Sequence, residues 1–421
     1  MATQSMISVE EALERILSHF ERLPPEETPL LDALGQVLAE DVASPIDIPP
    51  FDNTAMDGYA VRAADTAGAS DASPARLRVI GELAAGYLFD GEVTPGTAVR
   101  IMTGAPLPRG ADAIVPFEET DEPATHRYGA FAKSTDEVGA LKEARPGANI
   151  RRAAEDVRRG AAVLSQGAVL GAAQIGVLAS LGMATVRVYR RPVVAVLSTG
   201  DELLELGQPH EPGKIYDSNA YSVAAMVLEA GGVPRRLGIA ADTVEALTAK
   251  LRQGLDADML ITSAGVSRGD YDVVKDVLAK EGEIDFWTVR MRPGKPLAFG
   301  AFPGSGGRRV PHIGLPGNPV SSMVTFELFG RAAIYKMLGR RDWERPRVRA
   351  IAEQRIDNHD SRRVYARAVL SQRDGRYHAS LTGPQGSGIL TSMALANALA
   401  VCPEDVAAIE PGEEVECLVL N

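Results

Sequence analysis

The segment 292-RPGKPLAFG-300, resumed after a short hairpin-like interruption as 312-HIGLPGNPVSS-322, contains two Pro-Gly turns at the edges of apolar runs. Its second half predicts a strand from Val310 to Leu315, a tight turn and then a long helix. Asn318 is a preferred N-cap residue, and Pro319 suits the first helical position because its missing N–H would have no partner there. The segment therefore predicts a strand–turn–helix unit of an α/β sheet.

The turn at Pro316-Gly317 is predicted to expose backbone N–H groups beside the positive end of this helix, and together these form an anion-binding site. Arg292 and Lys295 lie just upstream and can add positive charge at the same place. A single Pro-Gly turn would only mark the end of a strand. Because two such turns occur with basic residues between them, we expect a ligand that carries phosphate.

Length, charge and hydropathy limit the class of protein. The 421 residues exceed what one hydrophobic core serves, so about two to four domains are expected. The net charge of −12, with no basic run, argues against general nucleic-acid binding. No apolar run is long enough to span a bilayer, and the first residues lack a signal-peptide pattern. We therefore expect a cytoplasmic protein that does not bind membranes.

The candidate metal ligands are few. Cys402 and Cys417 cannot make a disulfide framework or a thiolate metal site, and the six histidines are scattered without metal-ligand spacing. A zinc site is therefore not expected, whereas a metal such as Mg²⁺ could be held by oxygen ligands. No Walker A pattern is present and no GxGxxG follows a strand, so the usual ATP and dinucleotide signatures are missing.

From Arg191 onwards the sequence alternates between apolar strands and helices. The strands are predicted over 193–198, 234–240 and 259–263, and the helices over 218–230, 243–254 and 271–280. Continuous apolar strands separated by helices indicate a mostly parallel sheet that is covered on both faces. The centre of the chain is therefore predicted to be a doubly wound α/β domain.

The sequence on either side of this α/β region has a different pattern of predicted helices and strands. A helix is predicted over 29–41, short strands over 77–145, and helical patterning again up to Gly182. After Trp343, short strands separated by turns predict a small β-barrel. The predicted domains are, in order, a helical or mixed N-terminal domain, an inserted β-rich domain, the α/β domain and the barrel. Their boundaries are predicted at 1–45 with 146–190, 46–145, 191–341 and 342–421.

Ligands of such sheets bind beyond the carboxyl ends of the strands. The loops expected there are 198–202, 240–243, 263–272, 292–296 and 315–319. Small residues and hydroxyls in two of these loops can let backbone N–H groups wrap a phosphate. They are Thr199, Gly200, Ser263, Gly265 and Ser267.

Carboxylates accompany these loops and suit a Mg²⁺-phosphate site, because a bridging cation offsets their repulsion of phosphate. They are Asp201, Glu202, Asp242, Asp270 and Asp272. Asp201 and Asp242 could instead cap helices, and for Asp242 alone this alternative is favoured. Likewise, Asp52 and Asp57 in the loop before Gly58 are explained by turn chemistry when they are considered alone.

The ordered motifs of the chain resemble those of molybdopterin molybdenumtransferases, bacterial enzymes related to the C-terminal domain of gephyrin. The resemblance covers nearly the whole chain and is carried by DNTAMDGYAVR, RIMTGAP, STGDEL, IYDSN, SAGVSRGDYD, RPGKPLAFG, GLPGNPVS and GPQGSG. It implies a central sheet of molybdopterin-binding type. It also implies that molybdate and adenylylated molybdopterin, with Mg²⁺ or a similar cation, are converted to molybdenum cofactor and AMP.

The resemblance further implies roles for residues at matching positions. The catalytic positions are Asp57, Thr103, Glu202, Asp242 and Asp272, of which Glu202, Asp242 and Asp272 would hold the metal. Arg292 and Lys295 match the basic anchors of the substrate. The other implied substrate-binding positions are Thr199, Gly200, Asp201, Ser263, Gly265, Ser267, Pro316, Gly317, Asn318, Pro319 and Ser387.

The family is an elongated homodimer whose active site combines the α/β domain of one subunit with N-terminal parts of the other. The resemblance implies the same here, together with transient contacts to molybdopterin adenylyltransferase and molybdoenzymes. Two positions depart from the family pattern. Ala264 stands where glycine is more frequent and tolerates fewer backbone angles. Thr288 stands where some relatives have a basic residue, which removes one expected anion contact.

Three alternative functions stay open on the sequence alone. A molybdopterin adenylyltransferase shares the central domain and uses ATP, but would not need DNTAMDGYA, MTGAP or the barrel. A nucleotide hydrolase of the competence-damage type contains a related domain. A scaffold that clusters partners, as gephyrin does at synapses, ranks last because no linker or extra domain for it is expected in this chain.

Overall fold

The computed structural model describes residues 6–123, 126, 135–263 and 273–420. The chain divides into two compact units. The larger unit comprises Met1–Glu40, Gly167–Ile175 and Ala184–Asn421, and the smaller unit comprises Asp41–Gln166 and Gly176–Met183. None of the helices in the described ranges is long and apolar enough to cross a membrane.

The strands and helices follow in chain order. The strands are β1 (Pro25–Pro29), β2 (Val42–Ala43), β3 (Asn53–Thr54), β4 (Gly58–Val61), β5 (Ala75–Leu83), β6 (Thr97–Ile101), β7 (Ala113–Pro116), β8 (Glu137–Ala140), β9 (Ile150–Arg151), β10 (Ala162–Leu164), β11 (Thr185–Tyr189), β12 (Val193–Thr199), β13 (Leu203–Leu204), β14 (Ile215–Tyr216), β15 (Val233–Ala240), β16 (Met259–Ser263), β17 (Glu283–Thr288), β18 (Met291–Arg292), β19 (Pro296–Pro303), β20 (Arg309–Leu315), β21 (Arg347–Ala352), β22 (Ile356–Asp357), β23 (Arg363–Arg373), β24 (Arg376–Leu381), β25 (Ala398–Cys402), β26 (Ala408–Ile409) and β27 (Glu414–Val419). The helices are α1 (Val9–Leu17), α2 (Ala172–Ser180), α3 (Ser218–Glu229), α4 (Val244–Gln253), α5 (Val273–Glu281), α6 (Pro319–Thr325), α7 (Arg331–Met337) and α8 (Thr391–Leu395).

A six-stranded sheet of order β15-β12-β16-β20-β19-β17 lies at the centre of the larger unit. Its first four strands are parallel, and β19 and β17 continue it antiparallel. The predicted doubly wound, mostly parallel sheet is therefore confirmed, and the interruption in the opening segment is the β19–β20 hairpin. The turn of this hairpin contains Gly306 and Gly307, and it lies at the amino edge of β20.

Both faces of the parallel strands are covered, because successive side chains of a strand point to opposite sides. On β12, Val194 and Val196 pack in one core with residues of α3, α6 and α7. Ala195 and Leu197 pack in a second core with residues of α4 and α5. These continuous apolar strands could be predicted because both of their faces are buried.

The helix after β20 begins where the sequence predicts. Asn318 is the N-cap with an extended backbone, and Pro319 occupies the first turn, although the Asn318 side chain makes no capping hydrogen bond. The helix then runs from α6 through a π-helical turn, Phe326–Gly330, into α7. The long predicted helix is therefore confirmed, with one wider turn in its middle.

The last part of the chain is a closed barrel. Its strands follow the order β23-β24-β21-β27-β25, and β25 pairs again with β23 to close the ring. A core of small and medium apolar side chains, including Ala366, Ala400 and Cys417, fills it. The β-barrel predicted after Trp343 is confirmed, and both cysteines, Cys402 and Cys417, are buried and unpaired.

The smaller unit is β-rich, as the sequence predicts. Its main sheet has the order β7-β4-β6-β5-β8, with β5 and β6 parallel and the other pairs antiparallel. Tyr59 and Val61 of β4 pack with Phe117 in one core, and Ala60 packs with Ile101 in another. The boundaries of the four predicted domains stay a prediction.

The helix predicted over 29–41 is wrong. The chain forms β1 up to Pro29, where Thr28 pairs with Val186 of β11, and then makes hydrogen-bonded turns. Gly35 has a φ of 79°, which belongs to the left-handed region and cannot continue an α-helix. The apolar residues of this stretch gave a helical pattern, but strand pairing with a distant segment determines the local structure.

Asp258, in the loop before β16, fixes the amino edge of the sheet. Both of its carboxylate oxygens accept hydrogen bonds of 2.6 Å from Arg190, and it also accepts from the Val193 N–H at 2.8 Å and from Arg308 at 3.3 Å. The residue is only 6% exposed. Burial acts to raise the pKa of Asp258, but the bonds from Arg190 and Val193 hold that pKa below its ordinary value.

We expect the Asp258→Asn variant to lose about 3–5 kcal/mol of the free energy of unfolding, because it leaves the Arg190 guanidinium partly buried and unpaired. Urea unfolding measures this loss. Asp256→Asn is the matched control two residues away, because Asp256 is 67% exposed and pairs with Arg235 at the surface. The control should cost less than about 1 kcal/mol. Equal losses in the two variants would contradict a special role for Asp258.

Candidate functional site

A cavity of about 570 Å³ lies at the carboxyl edge of β12, β16 and β20, within the larger unit. The loops that follow these parallel strands end at one edge, so their residues meet there. Seven of the predicted site residues line it: Thr199, Glu202, Ser263, Pro316, Gly317, Asn318 and Pro319. The structure therefore brings three separate sequence motifs to one cavity.

The amide of Asn219 joins three of the cavity's walls. Asn219 lies in the first turn of α3, and its Nδ2 donates to Ser263 Oγ at 2.8 Å and to the Gly317 carbonyl oxygen at 2.7 Å. Asp217, the buried N-cap of the same helix, accepts from the Ala220 N–H at 3.0 Å. Ser263 Oγ accepts from Asn219 and donates to no acceptor among the described residues, so its proton could be donated to a ligand.

The amide oxygen of Asn219, Oδ1, also indicates that a ligand binds here. Oδ1 is buried and has no hydrogen-bond partner among the described residues. A buried acceptor without a partner costs free energy unless another group supplies a donor. Since Asn219 lines the cavity, a bound molecule with an N–H or O–H group could supply that donor.

Glu202 is held at the cavity by the backbone around it. Gly200 has a φ of 141°, and a Cβ built on it would lie 2.4 Å from Glu202 Oε2, so the carboxylate occupies the space above this glycine. The Ile215 N–H donates to the Glu202 carbonyl oxygen at 2.8 Å, where β13 pairs with β14. The backbone angle favours glycine at position 200, and any other residue there would also displace the Glu202 carboxylate.

Asp201 and Asp242 lie together on exposed loops that do not line the cavity. The Asp242 N–H donates to Asp201 Oδ1 at 3.2 Å, and the Lys214 ammonium donates to the Asp201 carbonyl oxygen. Asp242 itself is not the N-cap of α4, because Thr243 holds that position and accepts from the Ala246 N–H. The helix-cap alternative for Asp242 is therefore wrong.

Only part of the predicted metal-binding set lies within the described residues. Glu202 lines the cavity and Asp242 lies on the next loop, while Asp272, together with Gly265, Ser267, Ala264 and Asp270, lies outside the described residues. Within the described ranges, no group of three or more His, Cys, Asp or Glu side chains is arranged to hold a metal ion. The carboxylate oxygens of Glu202 and its neighbours suit Mg²⁺ chemically, so the metal site stays a prediction.

The two basic residues of the opening segment do not line the cavity. Arg292 donates to the Asp357 carbonyl oxygen, and its Nη1 lies 3.8 Å from Asp360 Oδ2, so it faces the barrel. Lys295 is exposed, and its ammonium makes no hydrogen bond to another described residue. Between them and the cavity, Pro296 supplies part of the wall.

The amino end of α6 offers fewer free donors than the sequence predicts. Pro319 has no N–H, and the Val320 N–H donates to the Ser387 carbonyl oxygen at 3.0 Å. Ser387 therefore meets the helix through its backbone, and the next residue, Gly388, lines the cavity. A barrel loop thus occupies part of the expected anion site.

The predicted pair Asp57 and Thr103 meets in the smaller unit. Asp57 Oδ1 accepts from the Thr103 N–H at 2.6 Å and from Thr103 Oγ1 at 2.7 Å. Asp52 has a structural role instead, because it accepts from the Ala153 N–H at 2.8 Å and from Arg152 at 2.6 Å. The bond from Ala153, helped by Arg152, lowers the pKa of Asp52.

Several lining residues were not among the predicted site residues. They are Leu203, Ile215, Tyr216, Asp217, Ser218, Asn219, Pro296 and Gly388. A usable signal was present for five of them, because IYDSN combines exposed apolar residues with a capping aspartate directly before a predicted helix. Gly388 could not have been assigned in this way, since it reaches the cavity only through the tertiary position of the barrel.

The cavity has the features of a site for an anionic ligand that also carries hydrogen-bond donors. It offers the hydroxyls of Thr199 and Ser263, an unpaired amide oxygen on Asn219, the Glu202 carboxylate, and the positive end of the α6–α7 helix. The Glu202 carboxylate is negative, whereas the amino end of the α6–α7 helix is positive. A cation bound at Glu202 would offset the carboxylate's repulsion of phosphate, so phosphate could bind at the same place.

Comparison with known families covers most of the chain. A family model described as MoeA N-terminal region (domain I and II) matches residues 7–182. A model described as probable molybdopterin binding domain matches residues 195–336, and one described as MoeA C-terminal region (domain IV) matches residues 349–420. The second match contains the strands that border the cavity.

Individual proteins are similar over their full length. Molybdopterin molybdenumtransferase 2 of Mycobacterium tuberculosis is 39% identical over 418 residues, covering 98% of this chain and 99% of the relative. Molybdopterin molybdenumtransferase of Haemophilus influenzae is 37% identical, covering 97% and 98% respectively. A crystal structure of a molybdopterin biosynthesis moea protein from Pyrococcus horikosii superposes with a TM-score of 0.79 at 33% identity, covering 99% of this chain and 100% of the other.

We expect Asn219→Ala to lower the free energy of unfolding by about 2 kcal/mol, because two hydrogen bonds are lost and their acceptors are left at the cavity wall. Thermal unfolding and amide exchange near Ser263 and Gly317 measure the effect. Ser222→Ala is the control on the same helix, because among the described residues its hydroxyl bonds to the Asn219 carbonyl oxygen and to no other group. If the two variants unfold alike and exchange alike, the Asn219 amide does not join these loops.

Proposed function

Because the chain belongs to the molybdopterin molybdenumtransferase family, we propose that it inserts molybdenum from molybdate into adenylylated molybdopterin. AMP is released, and molybdenum cofactor is the product. The observation that carries the proposal is the cavity at the carboxyl edge of the parallel sheet, where Glu202, Ser263 and the α6 amino end meet. Such an edge is where α/β sheets bind phosphorylated ligands.

The alternative of a molybdopterin adenylyltransferase is less well supported. Such an enzyme needs the central domain alone, whereas the matches named molybdopterin molybdenumtransferase extend over 97–98% of this chain. The Asp57–Thr103 contact and the barrel loop at the cavity also lie outside the central domain. These additional parts favour the insertion reaction.

The cavity residues have separate tasks in this proposal. Ser263 donates its hydroxyl proton to the ligand while Asn219 fixes the direction of that hydroxyl. Glu202, with Asp242 and Asp272, would hold Mg²⁺, which supplies charge neutralisation at the phosphoanhydride when bound. An oxygen of molybdate, as substrate, attacks the phosphorus of the AMP group, and the anhydride P–O bond breaks with the pterin phosphate as leaving group. That oxygen leaves molybdenum with AMP as the dithiolene sulfurs bind the metal, and the walls keep the reacting groups aligned.

Asp57 and Thr103 form a second pair of proposed catalytic residues. The Thr103 hydroxyl donates to Asp57, so the lone pairs of Thr103 Oγ1 face outward as acceptors. Lys295, exposed and without a described partner, is proposed to bind the terminal phosphate of the pterin. We also propose a homodimer, a cytoplasmic location, and transient contact with molybdopterin adenylyltransferase and molybdoenzymes, as the resemblance implies.

We expect Glu202→Gln to reduce molybdate-dependent AMP release about 100-fold, because the amide cannot neutralise a metal ion at the phosphoanhydride. The assay mixes purified protein, adenylylated molybdopterin, Mg²⁺ and molybdate, and follows AMP. Glu211→Gln is the control, since Glu211 is exposed and does not line the cavity. Unchanged thermal unfolding would exclude loss of folding as the cause.

Two results would overturn these assignments. AMP release by the wild-type protein that does not depend on molybdate would contradict the insertion reaction. A wild-type rate in Glu202→Gln would remove Glu202 from the mechanism while leaving the reaction in place.

Mixing two inactive variants tests the proposed homodimer. If one subunit supplies Asp57 and its partner supplies Glu202, random pairing of Asp57→Asn with Glu202→Gln subunits should restore up to about a quarter of wild-type AMP release. As the control, each variant is taken alone through the same subunit-exchange procedure. No recovery, although co-purification of differently tagged subunits shows that mixed dimers have formed, would mean that each subunit completes its own site.

A further inference from the structure

Arg367, in the middle of β23, is a charged residue buried in the barrel, with 1% of its surface exposed. Its Nε donates to Ser392 Oγ at 3.0 Å, and its Nη1 donates to the Gln385 carbonyl oxygen at 3.1 Å. Nη2 donates to the carbonyl oxygens of Gly386 at 2.9 Å and Pro384 at 3.4 Å. Three of these four hydrogen bonds go to carbonyl oxygens of one loop, 383–388, and the fourth goes to Ser392 in α8.

No carboxylate in the described part of the chain forms an ion pair with Arg367, and its burial lowers the pKa of the guanidinium. A buried charge without an opposite charge is costly, and an apolar side chain would fill the same strand position more cheaply. Packing of the barrel alone therefore does not explain a charged residue at this position. What the guanidinium provides is a planar fork that binds several carbonyl oxygens at once.

The backbone of Arg367 is held by the same loop. Its N–H donates to Gln385 Oε1 at 2.8 Å, and its carbonyl oxygen accepts from Gln385 Nε2 at 3.2 Å. Gln385 Nε2 also donates to the Gly383 carbonyl oxygen at 3.0 Å. Side chain and backbone of one residue therefore define the path of the loop 383–388.

This loop reaches the cavity directly. The Ser387 carbonyl oxygen accepts the Val320 N–H at the amino end of α6, and Gly388 lines the cavity beside Pro319. Displacing the loop would move a wall of the cavity and release a helix N–H. Arg367 itself does not line the cavity.

We propose that Arg367 is a positioning residue for the reaction: it holds the loop 383–388 against the amino end of α6 and so fixes one wall of the substrate cavity. The proposal rests on the proposed function, because it assigns the substrate of that function to the cavity. The Arg367 guanidinium and the Gln385 amide together hold this part of the barrel at the cavity wall.

The kinetic test compares Arg367→Lys and Arg367→Met with wild type. Lysine keeps a positive charge but lacks the fork, so both variants should raise KM for adenylylated molybdopterin at least about tenfold. The rate constant kcat should change less than about threefold, since Arg367 touches no reacting atom. Arg349→Met is the control, because Arg349 lies in the same barrel, is 82% exposed and pairs with Glu414. It should leave both constants unchanged.

Amide exchange tests the loop itself. In both Arg367 variants, exchange should accelerate at Val320 and across 383–388, while the barrel strands keep wild-type protection. If Arg367→Met does not fold, Gln385→Ala takes its place, because this variant keeps the guanidinium. It should accelerate exchange at the same amides and raise KM severalfold.

Wild-type KM in folded Arg367→Lys or Arg367→Met would overturn the proposal, and so would unchanged exchange at Val320. Wild-type protein that shows no molybdate-dependent AMP release would instead overturn the proposed function. The exchange comparison would still decide whether Arg367 holds the loop.

Discussion

The site depends on one requirement, which is that the polar groups at the ends of buried parallel strands find partners. The last residues of β16 and β20 are neighbours in register, Ser263 beside Leu315. A side chain with two donors on one nitrogen can bond to both strand ends, and Asn219 does so from α3, through Ser263 and through Gly317 just after β20. This amide joins the end of β16 to the turn after β20 at the wall of the cavity.

Much of this arrangement could be predicted from sequence. The strands β12, β16 and β20 are mostly apolar and almost entirely buried because both of their faces are covered, so they could be recognised without periodic alternation. Parallel strands bring their carboxyl ends to one edge, which is why Thr199, Glu202 and Pro316 were expected near each other and are found around one cavity. The barrel and the β-rich unit were likewise recognisable from short strands and turn residues.

What could not be predicted depends on contacts between distant segments. The sequence cannot show that Arg292 turns to Asp357 and Asp360, or that a carbonyl of the 383–388 loop takes the Val320 N–H. The helix expected over 29–41 failed for the same reason, since pairing with β11 overrode a local apolar pattern. Asp57 and Thr103 were identified through the resemblance to a family, because the residues around them indicate only a turn.

The β19–β20 hairpin has a practical consequence for experiments. Its turn lies at the opposite edge of the sheet from the cavity, and β20 is seven residues long, so roughly 20 Å of strand separates the two. A Cβ built on Gly306 or Gly307 meets no atom within 4 Å, although their φ values of 67° and 78° would add backbone strain to any substitution at those two positions. A fluorophore or surface linker attached at this turn would report on the protein without entering the chemistry, which makes the turn a natural attachment point for immobilised or single-molecule measurements.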